Sequence, residues 1–425
     1  MAGRKSSDAV MHAPAGKRAR HSAPARRRRL SDLVLRMIWK EKEISRAEIA
    51  RRAELSRSTV SEIVDALLPT GLIAEVGTGP SGGGRRPIVL RFQNEAFVIL
   101  GVELGATHVA VALTDLGGRV LAWEERNYPV RTDPEGTRAL MVDLCDLALA
   151  QSPHGKRGLV GIGVAVPSPV DPALPDRLSG LVLPAWQGNA GFEVLSRRYG
   201  VPLIMDNDAN LGALAEQWWG AGRGVADFAY IKVATGIGSG HIIAGEIYRG
   251  ATGVAGEIGH LAIESQGDPC ICGLRGCLAT LVGAPALVAR ARGLRSEFPA
   301  SALSRGELTM TAIEDAALAG DPLALKVTRE AAEHLGIALA DLLNLMNPAK
   351  LILGGGLSRL GELLLEPLRE SVRHRTLLSS LAASAIQVSE LGPRTVSIGA
   401  ATLVLKSALA DSRRFPAAIQ TVETS

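Results

Sequence analysis

The sequence predicts an α/β protein made of an N-terminal winged helix-turn-helix and a larger α/β body behind it. Three observations lead there. Residues 30–92 read as helix, short turn, polar-tipped helix and basic hairpin. From residue 97 onward, short apolar strands alternate with Gly-rich turns and helical stretches. Inside that body, His260, Cys270, Cys272 and Cys277 form a compact set of one imidazole and three thiols. A chain of 425 residues, 47% hydrophobic, has the length for two or three domains and enough apolar content for sizeable cores.

Residues 1–29 are rich in Ala, Pro, Ser and Arg, lack periodicity, and read as a disordered basic tail. They hold nine Lys and Arg residues against Asp8 alone, and residues 30–91 hold ten against eight acidic ones, yet the whole chain is only +4. The body is therefore net acidic, and a polyanion such as DNA meets the N-terminal end first. No apolar run is long enough to span a bilayer, and charges stand where a signal peptide needs its apolar segment. A cytoplasmic protein without a membrane partner is expected. A reducing compartment also suits three thiols kept for metal, while Cys145, in an apolar helical stretch, is expected in the core.

Leu30, Leu33, Val34 and Ile38 share one helical face. Ser45-Arg-Ala-Glu48 has the pattern of a capping box, in which hydroxyl and carboxylate both satisfy free amides, and opens a second helix through Ala53. Ser56 caps a third helix to about Leu68, with Val60, Ile63, Val64, Leu67 and Leu68 on its buried side. Leu72–Val76 and Ile88–Phe92 read as strands around a turn, Gly77–Gly84, followed by Arg85-Arg86-Pro87. The third helix would enter the major groove with Ser56, Arg57, Ser58, Thr59 and Ser61 facing base edges. Arg57 is the candidate for bidentate contact to a guanine, because the guanidinium fork matches two acceptors on that base. Arg85 and Arg86, at the edge of the wing, suit phosphates or a narrow minor groove.

In the body, Phe97–Val102 is a strand, Glu103-Leu-Gly-Ala-Thr107 a turn, and Val109, Val111 and Leu113 mark a returning strand. Val160 to Asp171 is a buried strand ending in a Pro turn. Leu203-Ile-Met205 is a short strand delivering Asp206, Asn207, Asp208 and Asn210 to a helix from Leu211 to Trp219. A carboxylate beside an amide can accept from and donate to adjacent sugar hydroxyls, and an aspartate there can serve as general base. Asp206 and Asn210 suit capping and turn roles. Tyr230–Thr235 is a strand leading to a Gly-rich turn, Gly236–Gly240, and Leu351–Leu353 leads to Gly354–Gly356. Pro322–Met346 reads as one long helix, core or dimer surface, and Ala385–Leu409 as a strand and helix returning to the first lobe, with a tail from about 411.

The metal set has its own logic. Zn²⁺ in a closed structural site takes four nitrogen and thiolate ligands, and Gly273 and Gly276 let the chain fold back so that three sulfurs reach one ion.

Gly256-Glu-Ile-Gly-His260 followed by Cys270-Ile-Cys-Gly-Leu-Arg-Gly-Cys277 resembles the signature of the ROK family of repressors, open reading frames and sugar kinases. The likeness runs from about Leu100 to about Leu403, and the Ser-Arg-Ala-Glu segment and the Gly-Gly-Arg-Arg-Pro wing are similar to those of ROK repressors. It implies a two-lobed actin-like (ribonuclease H-like, sugar-kinase) fold. The first lobe would comprise 97–208 plus about 398–410, and the second 209–397 with a structural zinc loop bracing the sugar site. By the same resemblance Asn207, Asp208, Glu257 and His260 bind the sugar, and Asp208 matches the catalytic base of the kinases. Gly236–Gly240 matches the second phosphate loop and Leu351–Ser358 the adenosine-side loop.

Three positions depart from that pattern. Glu103 and Ala106 stand where the kinases have Asp and the second Gly of the phosphate turn, which argues against efficient ATP use. Ala279 stands where a glutamate contacts the sugar, which removes one hydrogen-bonding group from the site. The expectation is a sugar-responsive DNA-binding transcriptional regulator, a repressor, with a double-stranded DNA operator and a sugar or sugar-derivative effector. A palindromic operator needs paired winged helices, so a homodimer or higher homo-oligomer is expected. The competing reading is an ATP-dependent sugar kinase with a fused DNA-binding arm and Asp208 as its base.

Overall fold

The computed structural model of the chain describes residues 23–78, 87–152, 155–377 and 385–417. The chain divides into two compact units, one reaching Pro69 and adding Ile73–Phe92, the other formed by Thr70–Leu72 and everything from Gln93.

The first unit runs α1 (Ala23–Glu41), β1 (Glu43–Ser45), α2 (Arg46–Arg52), α3 (Arg57–Leu67), β2 (Ile73–Thr78) and β3 (Ile88–Phe92). Its sheet has the order β1-β3-β2, both pairings antiparallel. Val34, Leu35, Ile38, Ile49, Val60, Ile63, Val64 and Leu90 form its buried core. Burial of such a side chain is worth about 1.5–3 kcal/mol, which lets a unit this small hold together. Helix α1 begins at Ala23, not at Leu30, so Arg26, Arg27, Arg28 and Arg29 lie on an exposed helical turn and not in a tail. The reason is local: Pro24 falls in the first turn, where a missing N–H leaves no bond unmade, and arginine is a good helix former.

Ser45 caps α2 by accepting from the Glu48 amide at 3.2 Å, but the second half of the expected capping box is absent. The Glu48 carboxylate instead takes hydrogen bonds from Arg51 and Arg52, two cations one helical turn away. Arg46 ties the unit together, donating to Asp65 of α3 at 2.9 Å and to Glu75 of β2 at 2.7 Å. Residues 79–86 of the wing turn, and with them Arg85 and Arg86, lie outside the described residues.

The second unit contains two five-stranded sheets of one design. The first comprises β4 (Val98–Leu104), β5 (His108–Asp115), β6 (Val120–Asn127), β7 (Leu159–Val166) and β8 (Leu203–Asn207), in the order β6-β5-β4-β7-β8. It carries α4 (Pro134–Ala150) and α5 (Glu193–Tyr199), and α6 (Asp208–Trp219) leads out of it. The second has β9 (Phe228–Val233), β10 (Ile237–Ile243), β11 (Glu246–Tyr248), β12 (Lys350–Gly354) and β13 (Ile386–Val388), in the order β11-β10-β9-β12-β13. Its helices are α7 (Ala279–Val282), α8 (Ala284–Leu294), α9 (Met310–Leu318), α10 (Pro322–Met346) and α11 (Glu362–Arg373), and α12 (Thr395–Ala410) closes the chain. In each sheet an antiparallel meander of three strands is followed by two parallel additions. The parallel additions require crossovers, which the helices between them supply.

Helix α12 joins the two sheets' surroundings by backbone contact. A Cβ added at Gly101 of β4 would lie 1.9 Å from the Ser397 carbonyl, and one at Gly399 would lie 1.8 Å from the Leu211 carbonyl on α6. Of the last two elements, only α12 returns to the first sheet; β13 pairs with β12 in the second, extending its parallel half. Within the expected tail, Ser412–Arg414 form a short turn and Phe415 is buried against Phe97 with ring centroids 6.0 Å apart, while residues 418–425 lie outside the described residues. Gly236–Gly240 is likewise not a loop: β10 starts at Ile237, and a tight hairpin closes with Ala234 donating to the Gly236 carbonyl at 2.9 Å.

Candidate functional site

In the first unit, Ser56 has extended backbone and accepts from the Thr59 amide at 3.0 Å, which makes it the N-cap of α3. Its Oγ also lies 2.9 Å from Ser58 Oγ and 2.7 Å from Thr59 Oγ1, so three of the expected base-facing hydroxyls bond one another. Arg57, in the first turn, is exposed and makes no ion pair with any described residue. Ser61 follows one turn later and is partly exposed.

In the second unit, a cleft of about 340 Å³ is bordered by Asn207, Asp208, Glu257 and His260, the four residues expected to hold a sugar. The end of β8 and the start of α6 deliver the first two. Asn207 is the helix cap, its Oδ1 accepting from Ala209 N at 2.9 Å and Asn210 N at 3.2 Å, while its amide donates to the Ser168 carbonyl at 3.2 Å. The capping role expected of Asp206 and Asn210 thus falls to Asn207, because the chain turns helical directly after it. Asp206, buried, accepts from Asn207 N at 2.7 Å, Asn210 Nδ2 at 3.2 Å and Arg249 Nε at 2.9 Å.

Asp208, in the first turn of α6, is also buried, and Lys232 Nζ of β9 stands 2.8 Å from its Oδ2. The same ammonium lies 2.7 Å from Glu103 Oε1 at the end of β4. Burial would raise the Glu103 carboxyl, but the Lys232 charge and the nearby His108 imidazole hold it down at about 2. The turn expected to approach phosphates borders the cleft through Gly105 and Ala106, and His108 packs on it closely enough that a Cβ at Gly105 would be 2.1 Å from the imidazole ring.

Glu257 and His260 are aimed by two glycines. A Cβ at Gly256, whose φ is +97°, would lie 1.9 Å from the Ser239 carbonyl, and one at Gly259 would be 2.3 Å from the Ile237 carbonyl. The segment therefore lies flat on β10 with both side chains toward the cleft. Burial, then repulsion from Asp208, pushes the Glu257 carboxyl up to about 7, so near neutrality it can donate to as well as accept from a hydroxyl. Ala279 opens α7 at the same cleft.

The donor atoms of His260, Cys270, Cys272 and Cys277 all lie within 4.8 Å of one another. His260 Nδ1 is 3.4 Å from Cys270 Sγ, and Cys272 Sγ is 3.6 Å from Cys277 Sγ. Four ligands at bond lengths of about 2.3 Å on a tetrahedron stand about 3.7 Å apart, so the set fits one metal ion. Gly276 makes the fold-back possible: its φ is +62°, and a Cβ there would be 1.5 Å from the Glu264 carbonyl. With Nδ1 toward the thiols, His260 turns Nε2 toward Glu257, 3.9 Å away. One ring can thus serve both the metal set and the cleft.

Sequence reasoning missed Lys232 and Arg249. A lysine inside the apolar strand Tyr230-Ile-Lys-Val233 was the available signal for the first, since a charge in a buried strand needs a partner. Arg249 had none.

Two sheets of one strand order, a small cleft where a few polar groups meet a largely apolar lining, and a winged helix in the same chain define a DNA-binding unit joined to a sugar-kinase-type body. The chain belongs to the ROK family, whose description matches residues 99–407, and the MarR family description matches residues 33–75. It is 34% identical over 386 residues to a xylose repressor of Caldicellulosiruptor bescii, covering 89% of this chain and 95% of that protein. It is 33% identical over 383 residues to the DNA-binding transcriptional dual regulator NagC of Escherichia coli K12, covering 89% and 93%. Among solved structures, a ROK family transcriptional regulator homologous to the E. coli MLC protein superposes with a TM-score of 0.74 at 26% identity, covering 91% of this chain and 98% of that one. A ROK family glucokinase from Streptomyces griseus, in complex with glucose and AMPPNP, superposes at 0.64 with 32% identity, covering 72% and 98%. No described helix is long and apolar enough to cross a membrane.

Proposed function

We propose that this protein is a sugar-responsive DNA-binding transcriptional regulator that acts as a repressor. One observation carries the reading: a single chain holds a winged helix with an exposed arginine at the tip of α3 and a cleft in which Asn207, Asp208, Glu257 and His260 converge. Relatives named xylose repressor and N-acetylglucosamine repressor support it along nearly the full chain. Arg57 reads a base pair, while Ser56 holds the helix tip in shape for it. Arg85 and Arg86 contact the DNA backbone or minor groove. In the cleft, Asp208 and Glu257 accept from ligand hydroxyls, and the Asn207 amide and His260 Nε2 donate to ligand oxygens.

Zn²⁺ is the ion that the one-imidazole, three-thiolate set suits, held by His260, Cys270, Cys272 and Cys277 as a brace with no place for water. Operator and effector are linked reciprocally: a sugar that weakens DNA binding is itself bound more weakly by the DNA complex. Two copies pair on a palindromic operator, and a DNA partner places the protein in the cytoplasm. The test is binding to DNA from upstream of its own gene, at two salt concentrations, with and without a panel of sugars and sugar phosphates. Tight, salt-sensitive binding that one sugar shifts is the expected result. Specific binding that no sugar moves would remove the effector role from the cleft.

The kinase reading has one observation for it, a carboxylate at 208 beside a sugar-sized cleft. Against it stand Glu103, Ala106, Ala279 and the lysine already hydrogen-bonded to Asp208. ADP release over a panel of hexoses, N-acetylhexosamines and pentoses, abolished by Asp208→Asn, would reverse this ranking.

A further inference from the structure

The cleft floor holds an ion-pair trio that effector binding alone does not require. Lys232 stands within β9 of the second sheet, and its partners Glu103 and Asp208 belong to the end of β4 and to the helix start that follows β8, both first-sheet elements. The two contacts, 2.7 and 2.8 Å, are charge-assisted hydrogen bonds, and all three residues are at most 9% exposed. Burial works against the Lys232 charge, but the two carboxylates more than reverse this and keep the ammonium protonated.

Two buried carboxylates facing one another across a gap are the arrangement a divalent cation would bridge. Here the gap is filled from within the chain. The trio also keeps a net negative charge, which repels phosphate groups, while Lys232 on Oδ2 leaves Asp208 Oδ1 to accept from a ligand hydroxyl.

We propose that Lys232 is an interlobe clasp, a resident cation that joins Glu103 and Asp208 across the cleft floor, takes the place a divalent ion would need, and fits the cleft to an uncharged polyol bound without nucleotide. The proposal rests on the effector reading of the same cleft. Lys232 acts through Asp208, so it is a positioning residue: it fixes which carboxylate oxygen meets the ligand and ties the sheet carrying Glu257 and His260 to the sheet carrying Asn207.

The experiment uses the full chain, with MnCl₂ alone and MnCl₂ with ADP as probes, read by manganese EPR and by thermal melting. The wild type is expected to bind neither probe at millimolar concentration. Lys232→Met should melt lower and bind Mn²⁺ more tightly than the wild type by about tenfold or more, since two carboxylates are left without their cation. Should that variant fail to fold, the double variant Lys232→Met, Glu103→Gln keeps the net charge of the trio. In it, amide hydrogen exchange across 103–108 and 232–238 should quicken by about tenfold or more, because the sheets are no longer tied. Wild-type protein binding manganese-ADP as tightly as Lys232→Met, or the double variant exchanging at the wild-type rate, overturns the clasp. A wild type whose DNA binding no sugar moves defeats the effector reading instead, and the exchange result still decides the clasp.

Discussion

Arg249, in the loop after β11, donates from Nε to the buried Asp206 carboxylate at the end of β8, 2.9 Å away. The pair joins an element of the second sheet to one of the first, directly behind Asn207 and Asp208. Among the described residues, removing the arginine leaves Asp206 with an amide N–H from Asn207 and one from Asn210. Arg249→Met should cost about 2–4 kcal/mol in denaturant unfolding, toward the low side for a broken buried pair, since the arginine side chain is 30% exposed. It should also weaken sugar response while leaving operator preference unchanged. Equal stability of variant and wild type would show the pair to be dispensable.

In the DNA-binding unit, two arginines of similar prominence in the sequence should behave differently. Arg57→Ala, which removes an exposed side chain with no ion pair among the described residues, should weaken operator binding by about 1–3 kcal/mol and flatten preference at one base pair without changing stability. Arg46→Ala breaks the contacts to Asp65 and Glu75 and should lower the melting temperature with base preference intact. A substitution scan of the operator against both proteins separates the roles; unaltered base preference in Arg57→Ala takes that residue out of the reading role.

The elements that local chemistry specifies were legible in the sequence. Helix α10 begins where Asp321 caps and Pro322 opens it, and ends where Asn347 takes a left-handed conformation, so its expected and observed limits coincide. The metal set and the fold-back at Gly273 and Gly276 were legible for the same reason: ligand, spacing and turn lie within one short stretch. What escaped was set by distant partners or by very short elements. Lys232 meets Glu103 from 129 residues away. Strand β1 has three residues, too few to show alternation. Glu48 had two satisfactory partners, a backbone amide and a pair of arginines, and pattern alone does not choose between them. The common strand order of the two sheets leaves no trace in residue identity, because only topology repeats.

Replacing Cys272 by Ser should remove the metal and the sugar response together. Freshly purified wild type is expected to contain about one zinc per chain, and the variant little. The loop carrying the thiols also carries residues of the cleft rim, Pro269, Cys270 and Ile271, so its collapse reaches the effector site. The winged helix has its own core, and operator binding in the absence of sugar should persist. Metal-free wild-type protein with a full sugar response would refute the brace.

Acid should act on the body through Glu103. Its folded value, about 2, lies below the ordinary 4.5, so the stability it contributes is fully present above about pH 4.5 and is lost as pH falls toward 2. The sign follows from proton uptake: below pH 4.5 the unfolded chain binds a proton here that the folded chain refuses. Glu103→Gln deletes this dependence while leaving Lys232 hydrogen-bonded to Asp208. Between about pH 4.5 and about pH 3 the wild type should therefore lose about 1.5 kcal/mol more than the variant, the limiting slope of about 1.4 kcal/mol per pH unit being reached only below pH 4.5. Carboxylates that touch neither Glu103 nor Lys232 titrate alike in both proteins and cancel in the difference. Parallel stability curves for the two, measured by denaturant unfolding across that range, would mean that the lysine does not hold the Glu103 charge in the folded state.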